Sequence, residues 1–260
     1  MANNISPQAY VNPAARLGDN VTIYPFAYIE GDVQIGDGCV IYPYVSLMDG
    51  TRLGKNNNIH QGTVLAALPQ DFDYCGEKTE LVIGDNNTIR ENVVINRATH
   101  STGKTIIGNG NFIMEGVHIS HDTVICDKCV IGYGTKIAGD CIIQNNAILS
   151  SNVVANPATR VGVAAMVQSG CRFSKDVPPY IVATHNPIEY GGVHSVILSN
   201  IGISEDVQNN IAQAYRLIFN GMVSVFDALN QVRDQVPDSP EIQNIIQFAE
   251  ESKRGLISKM

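Results

Sequence analysis

Residues 115 to 140, EGVHISHDTVICDKCVIGYGTKIAGD, bring His118, His121, Asp122, Cys126 and Cys129 into one short stretch. Two chemistries suit these side chains. Read as H-x2-H-x4-C-x2-C, the two histidines and two cysteines are the right types for zinc. Read as a proton-transfer site, His121 is a general base and Asp122 fixes its tautomer. Imidazole changes charge near physiological pH, and an adjacent carboxylate both orients it and stabilises its protonated form. A solvated His-Asp pair on a repetitive surface is the third reading. The residues alone leave all three open, although Cys129 beside Val130 and Ile131 also reads as a small apolar side chain.

The elements that would position these residues follow from a period of six. Val11, Leu17, Ile23, Ile29, Ile35, Ile41, Leu47, Leu53, Ile59 and Leu65 recur without a miss. The series resumes at Ile83, Ile89 and Ile95, runs again from Ile107 to Leu149, and continues through Ala155, Val161 and Val167. A helix repeats at 3.6 and a strand at 2, so each hexad must form one short side of a stacked coil. On this frame His121 stands two residues beyond the buried Ile119 and faces away from the apolar column. Glycine often follows the aliphatic, as at Gly18, Gly36, Gly54, Gly84, Gly108, Gly132 and Gly162, which suggests corners with unusual backbone angles.

Two segments break the period, residues 66 to 82 (AALPQDFDYCGEKTELV) and 96 to 106 (NRATHSTGKTI), and both are expected as functional surface loops. We expect a β-helical domain over residues 1–186 and a helical domain over 187–260. Ser204 reads as an N-cap before the stripe Val207, Ile211, Tyr215 and Ile218, and Ser239-Pro240-Glu241 as a second helix start.

Composition narrows the function. A 260-residue chain with 44% hydrophobic residues has material for a substantial core. A formal net charge of −8 argues against broad nucleic-acid binding, which needs excess cations to neutralise phosphates. The N-terminus lacks a basic run followed by an apolar core, and no stretch approaches the roughly 18 apolar residues of a membrane span. We therefore expect a cytoplasmic protein with no integral membrane segment. Its six unevenly spaced cysteines do not form a disulfide framework.

The hexads, PQDFDYCGE (69–77), IGDNNTIREN (83–92), HISHD (118–122), DVPPYIV (176–182) and KRGLI (253–257) together resemble the acyl-ACP:UDP-N-acetylglucosamine O-acyltransferases that begin lipid A synthesis. The resemblance spans essentially the whole chain. It implies a left-handed parallel β-helix of about eight coils with a C-terminal helical cap, and a homotrimer with sites between subunits. It also implies acyl carrier protein and a UDP-linked amino sugar as partners, with no cofactor, no metal and no covalent acyl-enzyme. Carried over, His121 is the general base, Asp122 orients it, and the Gly139 N–H stabilises the oxyanion. His118, Gln70 and Asp71 match substrate contacts. Cys75 and Cys126 are expected to be inert.

The chain departs from the family around the substrate. Asp140 replaces a histidine, Asn156-Pro157 replaces His-Gln, Asn96 a histidine, and Asp73 a lysine. Asn200 and Ile201 replace consecutive arginines, His194 an asparagine, and Ser169 a glycine linked to acyl length. Lost arginines remove charge-assisted bonds to phosphate, and Asp73 and Asp140 could instead face an amine, as in a 3-amino sugar nucleotide. Ser169 points to a shorter acyl chain. Lys253 and Arg254 could meet the acidic carrier. Two other readings follow from the same residues: a binding-only paralogue, suggested by the altered shell, and a zinc lyase using His118, His121 and His100.

Overall fold

The computed structural model describes residues 2–99, 103–219, 221 and 223–258. Within them, strands mostly two residues long form three sheets of 11, nine and eight strands. All strand pairs are parallel except the last, where Ile181–Thr184 meets Glu189–Val193 antiparallel. This is the β-helix expected from the hexads. In each regular coil a residue pairs with its equivalent one turn later, as Val40 with Asn58 and His118 with Lys136. The register lengthens where the insertions leave, so that Val64 pairs with Val94 and Glu80 with Lys104.

The six-residue series supplies the interior. Ile23, Ile41, Ile59, Ile89, Ile113, Ile131 and Leu149 stack in one buried column, and equivalent columns line the other two sheets. Burying one such side chain is worth about 1.5–3 kcal/mol, so the column is the main support of each coil. Cys129 and Cys141 belong to this interior, and burial pushes the Cys129 thiol up to about 12.

The glycines after the aliphatics are explained differently from the expectation. Left-handed φ falls two residues later, at Asn20, Gly38, Asn56, Asn86, Gly110, Gly134 and Ala164. The glycines themselves are needed because the next coil approaches too closely for a Cβ. One at Gly36 would stand 2.6 Å from the Gly54 carbonyl, and one at Gly132 would stand 2.5 Å from Ser150 backbone.

The C-terminal part contains α1 (Ser195–Asn200), α2 (Glu205–Ile218), α3 (Val225–Gln235) and α4 (Pro240–Glu250). Both expected caps are present: Ser204 accepts from the Val207 N–H and Ser239 from the Ile242 N–H, with Pro240 in the first turn. The helices close the solenoid end, where the buried Tyr215 hydroxyl donates to the Pro179 carbonyl at 2.6 Å. The boundary expected at 186/187 falls inside the antiparallel hairpin, so residues 189–193 extend the solenoid sheet. The tail then returns along the solenoid, with Asp176 N–H donating to the Gly255 carbonyl at 2.8 Å. No helix among the described residues is long and apolar enough to cross a membrane.

Candidate active site

His121 occupies the turn between strands His118–Ile119 and Val124–Ile125, at one edge of the three-sided prism. Asp122 follows in the left-handed region at φ 57°, a conformation aspartate tolerates better than most residues. Its N–H donates to Thr105 Oγ1 at 2.9 Å, which pins the corner to the second insertion. The Asp122 side chain is fully buried, and its Oδ2 lies 2.9 Å from His121 Nδ1. An ionised carboxylate only accepts, so Nδ1 carries a hydrogen towards Asp122, and in the neutral form of the ring Nε2 holds the lone pair.

The first insertion supplies the other side. Asp71 Oδ2 lies 3.2 Å from His121 Nε2, and Asp71 Oδ1 accepts from the Asp73 N–H at 2.8 Å. The loop is held at its base: the Asn96 amide donates to the Leu68 carbonyl at 2.7 Å, and Arg97 bridges the Asp49 carbonyl and the Tyr74 hydroxyl. Asn96 is 1% exposed, so here it ties the two insertions together rather than facing solvent. Gln70, Phe72 and Asp73 remain exposed at the loop tip.

Directly one coil on, Gly139 lies beneath the His121 ring. A Cβ there would stand 2.5 Å from Cε1 and 2.7 Å from Nε2. At another edge, stacked Asp and Asn side chains accept the corner N–H groups of the preceding coil: Asp85 donates to Asn109, Asn109 to Asp127, and Asp127 to Asn145. Below Gly139 the equivalent residue is Pro157, which has no side-chain acceptor. Among the described residues, the buried Gly139 N–H meets no acceptor. An unpaired backbone donor beside an imidazole is an arrangement that can stabilise a developing oxyanion.

Asp140 completes the edge. Its carboxyl is pushed above the ordinary aspartate value, first by partial burial and then by the charges of Asp122 and Asp71, with His121 opposing. His118 lies half-buried on the adjoining sheet face, above Lys136. Burial and then the Lys136 charge hold it below the usual histidine value. Asn156 is on the coil after Asp140 and accepts from Arg172 Nε at 3.4 Å. The tail reaches this same edge, where Arg254 donates to the Pro157 carbonyl at 3.0 Å. Lys253 and Arg254 line, with Asp140 and Ala158, a cavity of about 680 Å³.

Two expected contacts lie elsewhere in the single chain. Ser169 sits exposed on a second edge, in the turn between strands Met166–Val167 and Arg172–Phe173. His194 is buried at the start of α1, its Nδ1 3.1 Å from the Ala164 carbonyl, and it fastens α1 to a third edge. The four-residue zinc set does not converge either. The Cys129 thiol is in the interior and donates to the Gln144 carbonyl at 3.1 Å, whereas His121 is outside. Among the described residues no group of three or more His, Cys, Asp or Glu is arranged to hold a metal. His100, the third histidine of the lyase reading, lies outside the described residues.

Comparison with known proteins gives the family. Residues 176–257 match a family model described as UDP N-acetylglucosamine O-acyltransferase, domain 2, and residues 14–47, 32–67 and 104–139 match the bacterial transferase hexapeptide model. An acyl-[acyl-carrier-protein]–UDP-N-acetylglucosamine O-acyltransferase of Chlorobaculum parvum is 49% identical over 97% of this chain and 96% of its own. The Myxococcus xanthus relative of the same name is 40% identical over 97% and 98%. A solved UDP-N-acetylglucosamine acyltransferase structure from Bacteroides fragilis superposes with a TM-score of 0.96 at 48% identity, covering 97% of this chain and 99% of that one. With the left-handed hexapeptide solenoid, the helical cap and full-length identity of this order, the chain belongs to the acyl-ACP–UDP-N-acetylglucosamine O-acyltransferase family.

Proposed function

We propose that this chain transfers a 3-hydroxyacyl group from acyl carrier protein to a UDP-linked amino sugar, as a cytoplasmic homotrimer acting at the start of lipid A synthesis. One observation carries the reading: the His121 imidazole is bracketed by Asp122 on Nδ1 and Asp71 on Nε2, directly over the unpaired Gly139 N–H. The acceptor hydroxyl replaces Asp71 at Nε2 of the neutral ring, and Nε2 takes the hydroxyl proton as the oxygen attacks the thioester carbonyl. Asp71 is left to accept a hydrogen bond from the sugar. The carbonyl electrons move onto oxygen against the Gly139 N–H. When the tetrahedral intermediate collapses, the C–S bond breaks and the leaving thiolate recovers the proton from the imidazolium. The products are an ester, or an amide for an amine acceptor, and the free carrier thiol.

The placement of the expected contacts supports an assembly of several copies such as the homotrimer. Ser169 and His194 stand on edges other than that of His121, so a second copy must present them if they meet the same substrate. Arg254, bonded to the Pro157 carbonyl, and Lys253, lining the same cavity, give the acidic carrier protein a basic landing point near His121.

The test is acyl transfer from a panel of 3-hydroxyacyl carrier proteins to UDP-N-acetylglucosamine and its 3-amino analogue. Turnover with one acceptor is expected. No turnover with either, from a folded protein, would overturn the reading.

Asp140 distinguishes the acceptors. For a hydroxyl acceptor, an ionised Asp140 opposes the oxyanion one residue away. Asp140→Asn should then raise kcat by about 3- to 10-fold at pH 8, the scale of one charge at short range. Because the wild-type carboxyl holds its proton to higher pH than an ordinary aspartate, the advantage shrinks as pH falls towards and through that raised value. A variant that is slower at pH 8, chiefly with the amine acceptor, would show instead that Asp140 binds the amine.

A further inference from the structure

The buried oxygen that steers His121 has a second controller. Asp122 Oδ2 takes His121 Nδ1–H at 2.9 Å and also receives the Thr99 N–H at 3.0 Å and the Thr99 hydroxyl at 2.7 Å. Thr99 is 5% exposed and comes from the second insertion, far from the hexad frame. We propose that Thr99 is a positioning residue for the acyl transfer: by donating twice to one oxygen of Asp122, it fixes the carboxylate that orients the catalytic imidazole. This rests on the acyltransferase reading given above.

The argument is geometric. A buried carboxylate with one orienting partner can rotate about its terminal bond, and each rotation changes which oxygen faces Nδ1. Two donors from one residue, a backbone N–H and its own hydroxyl, close that freedom from a single side. When His121 takes the acceptor proton, the imidazolium pulls harder on Asp122, and the pair must hold its place while the thioester is attacked. Charge-assisted bonds to an ionised group are the stronger kind, and a small displacement of a catalytic group is costly to rate. The Asp122 N–H on Thr105 Oγ1 fixes the backbone of the same corner, so the insertion clamps both ends of the residue.

Thr99→Val keeps the side-chain shape and the backbone N–H and removes only the hydroxyl donor. It should lower kcat by about tenfold while leaving KM for carrier and for sugar nucleotide within about twofold, and Thr99→Ser should restore wild-type turnover. In proton NMR of the uncomplexed protein, the hydrogen-bonded His121 Nδ1–H signal should be sharp in wild type and Thr99→Ser and broadened in Thr99→Val. A Thr99→Val protein with an unchanged Nδ1–H signal and unchanged kcat overturns the proposal. Wild type without turnover would instead overturn the functional reading, with the Nδ1–H signal still deciding the role of Thr99. A Thr99→Val loss accompanied by a large drop in melting temperature and not rescued by serine would mark Thr99 as structural only.

Discussion

Replacing His121 with alanine is expected to lower kcat by about 10³-fold, within the 10²–10⁴ range typical of a general base, with little change in KM for either substrate. In the proposed mechanism the imidazole accepts the hydroxyl proton, since Nδ1 faces Asp122 and Nε2 points to the side from which Asp71 approaches. Asp71 cannot substitute efficiently, because a carboxylate is a weaker base and its Oδ1 is engaged by the Asp73 N–H. The Gly139 N–H survives the substitution, so a residual rate above the uncatalysed one should remain. That residue of activity should lose its dependence on imidazole protonation. Steady-state kinetics with both substrates varied over a pH series checks this. An alanine variant with more than about a tenth of wild-type kcat would remove His121 from the role of base.

The hexads made the solenoid legible because a six-residue period admits no helix or ordinary strand, and the corner position of His121 followed directly from counting past Ile119. The caps Ser204 and Ser239 were equally readable, since each precedes an apolar stripe. The sequence carried the same signal at Ser224, which accepts from the Asp227 N–H at the start of α3, yet the Gly-Met-Val-Ser approach hid it. The corner glycines were right in position and wrong in cause: spacing reveals where glycine recurs, while only stacking shows that the neighbouring coil, not φ, excludes a Cβ. At the site, His121 and Asp122 are visible as an adjacent pair, whereas Gly139 enters only through the family resemblance and stacking alone puts it under the His121 ring. Thr99 is not visible, because an aperiodic insertion gives no register by which to place its hydroxyl. The approach of Arg254 to Pro157 was hidden for the same reason, since the tail leaves the repeat before it returns.

Gly139→Ala carries the second large effect and separates chemistry from stability. Gly139 does not sit in the left-handed region, so alanine can adopt its backbone. The obstacle is the His121 ring, whose Cε1 and Nε2 would lie 2.5 and 2.7 Å from the new methyl. A side chain at the protein edge can move, and the least costly response is for His121 to swing away from Asp122 and Asp71. We expect kcat to fall by about 10²-fold or more, because the base leaves its line of attack and the oxyanion position is crowded together. Melting temperature should change little. Gly132→Ala is the control, since its methyl would meet the Ser150 and Ser151 backbone at 2.5 Å, which cannot step aside. That variant should lose stability while the folded fraction keeps its kcat. Activity lost in both variants in proportion to folded protein would mean that Gly139 serves only coil packing. The expected division, catalytic loss at Gly139 and thermal loss at Gly132, would show that the solenoid uses one residue type for two ends: close stacking along its length, and at one corner a bare backbone donor under a movable imidazole.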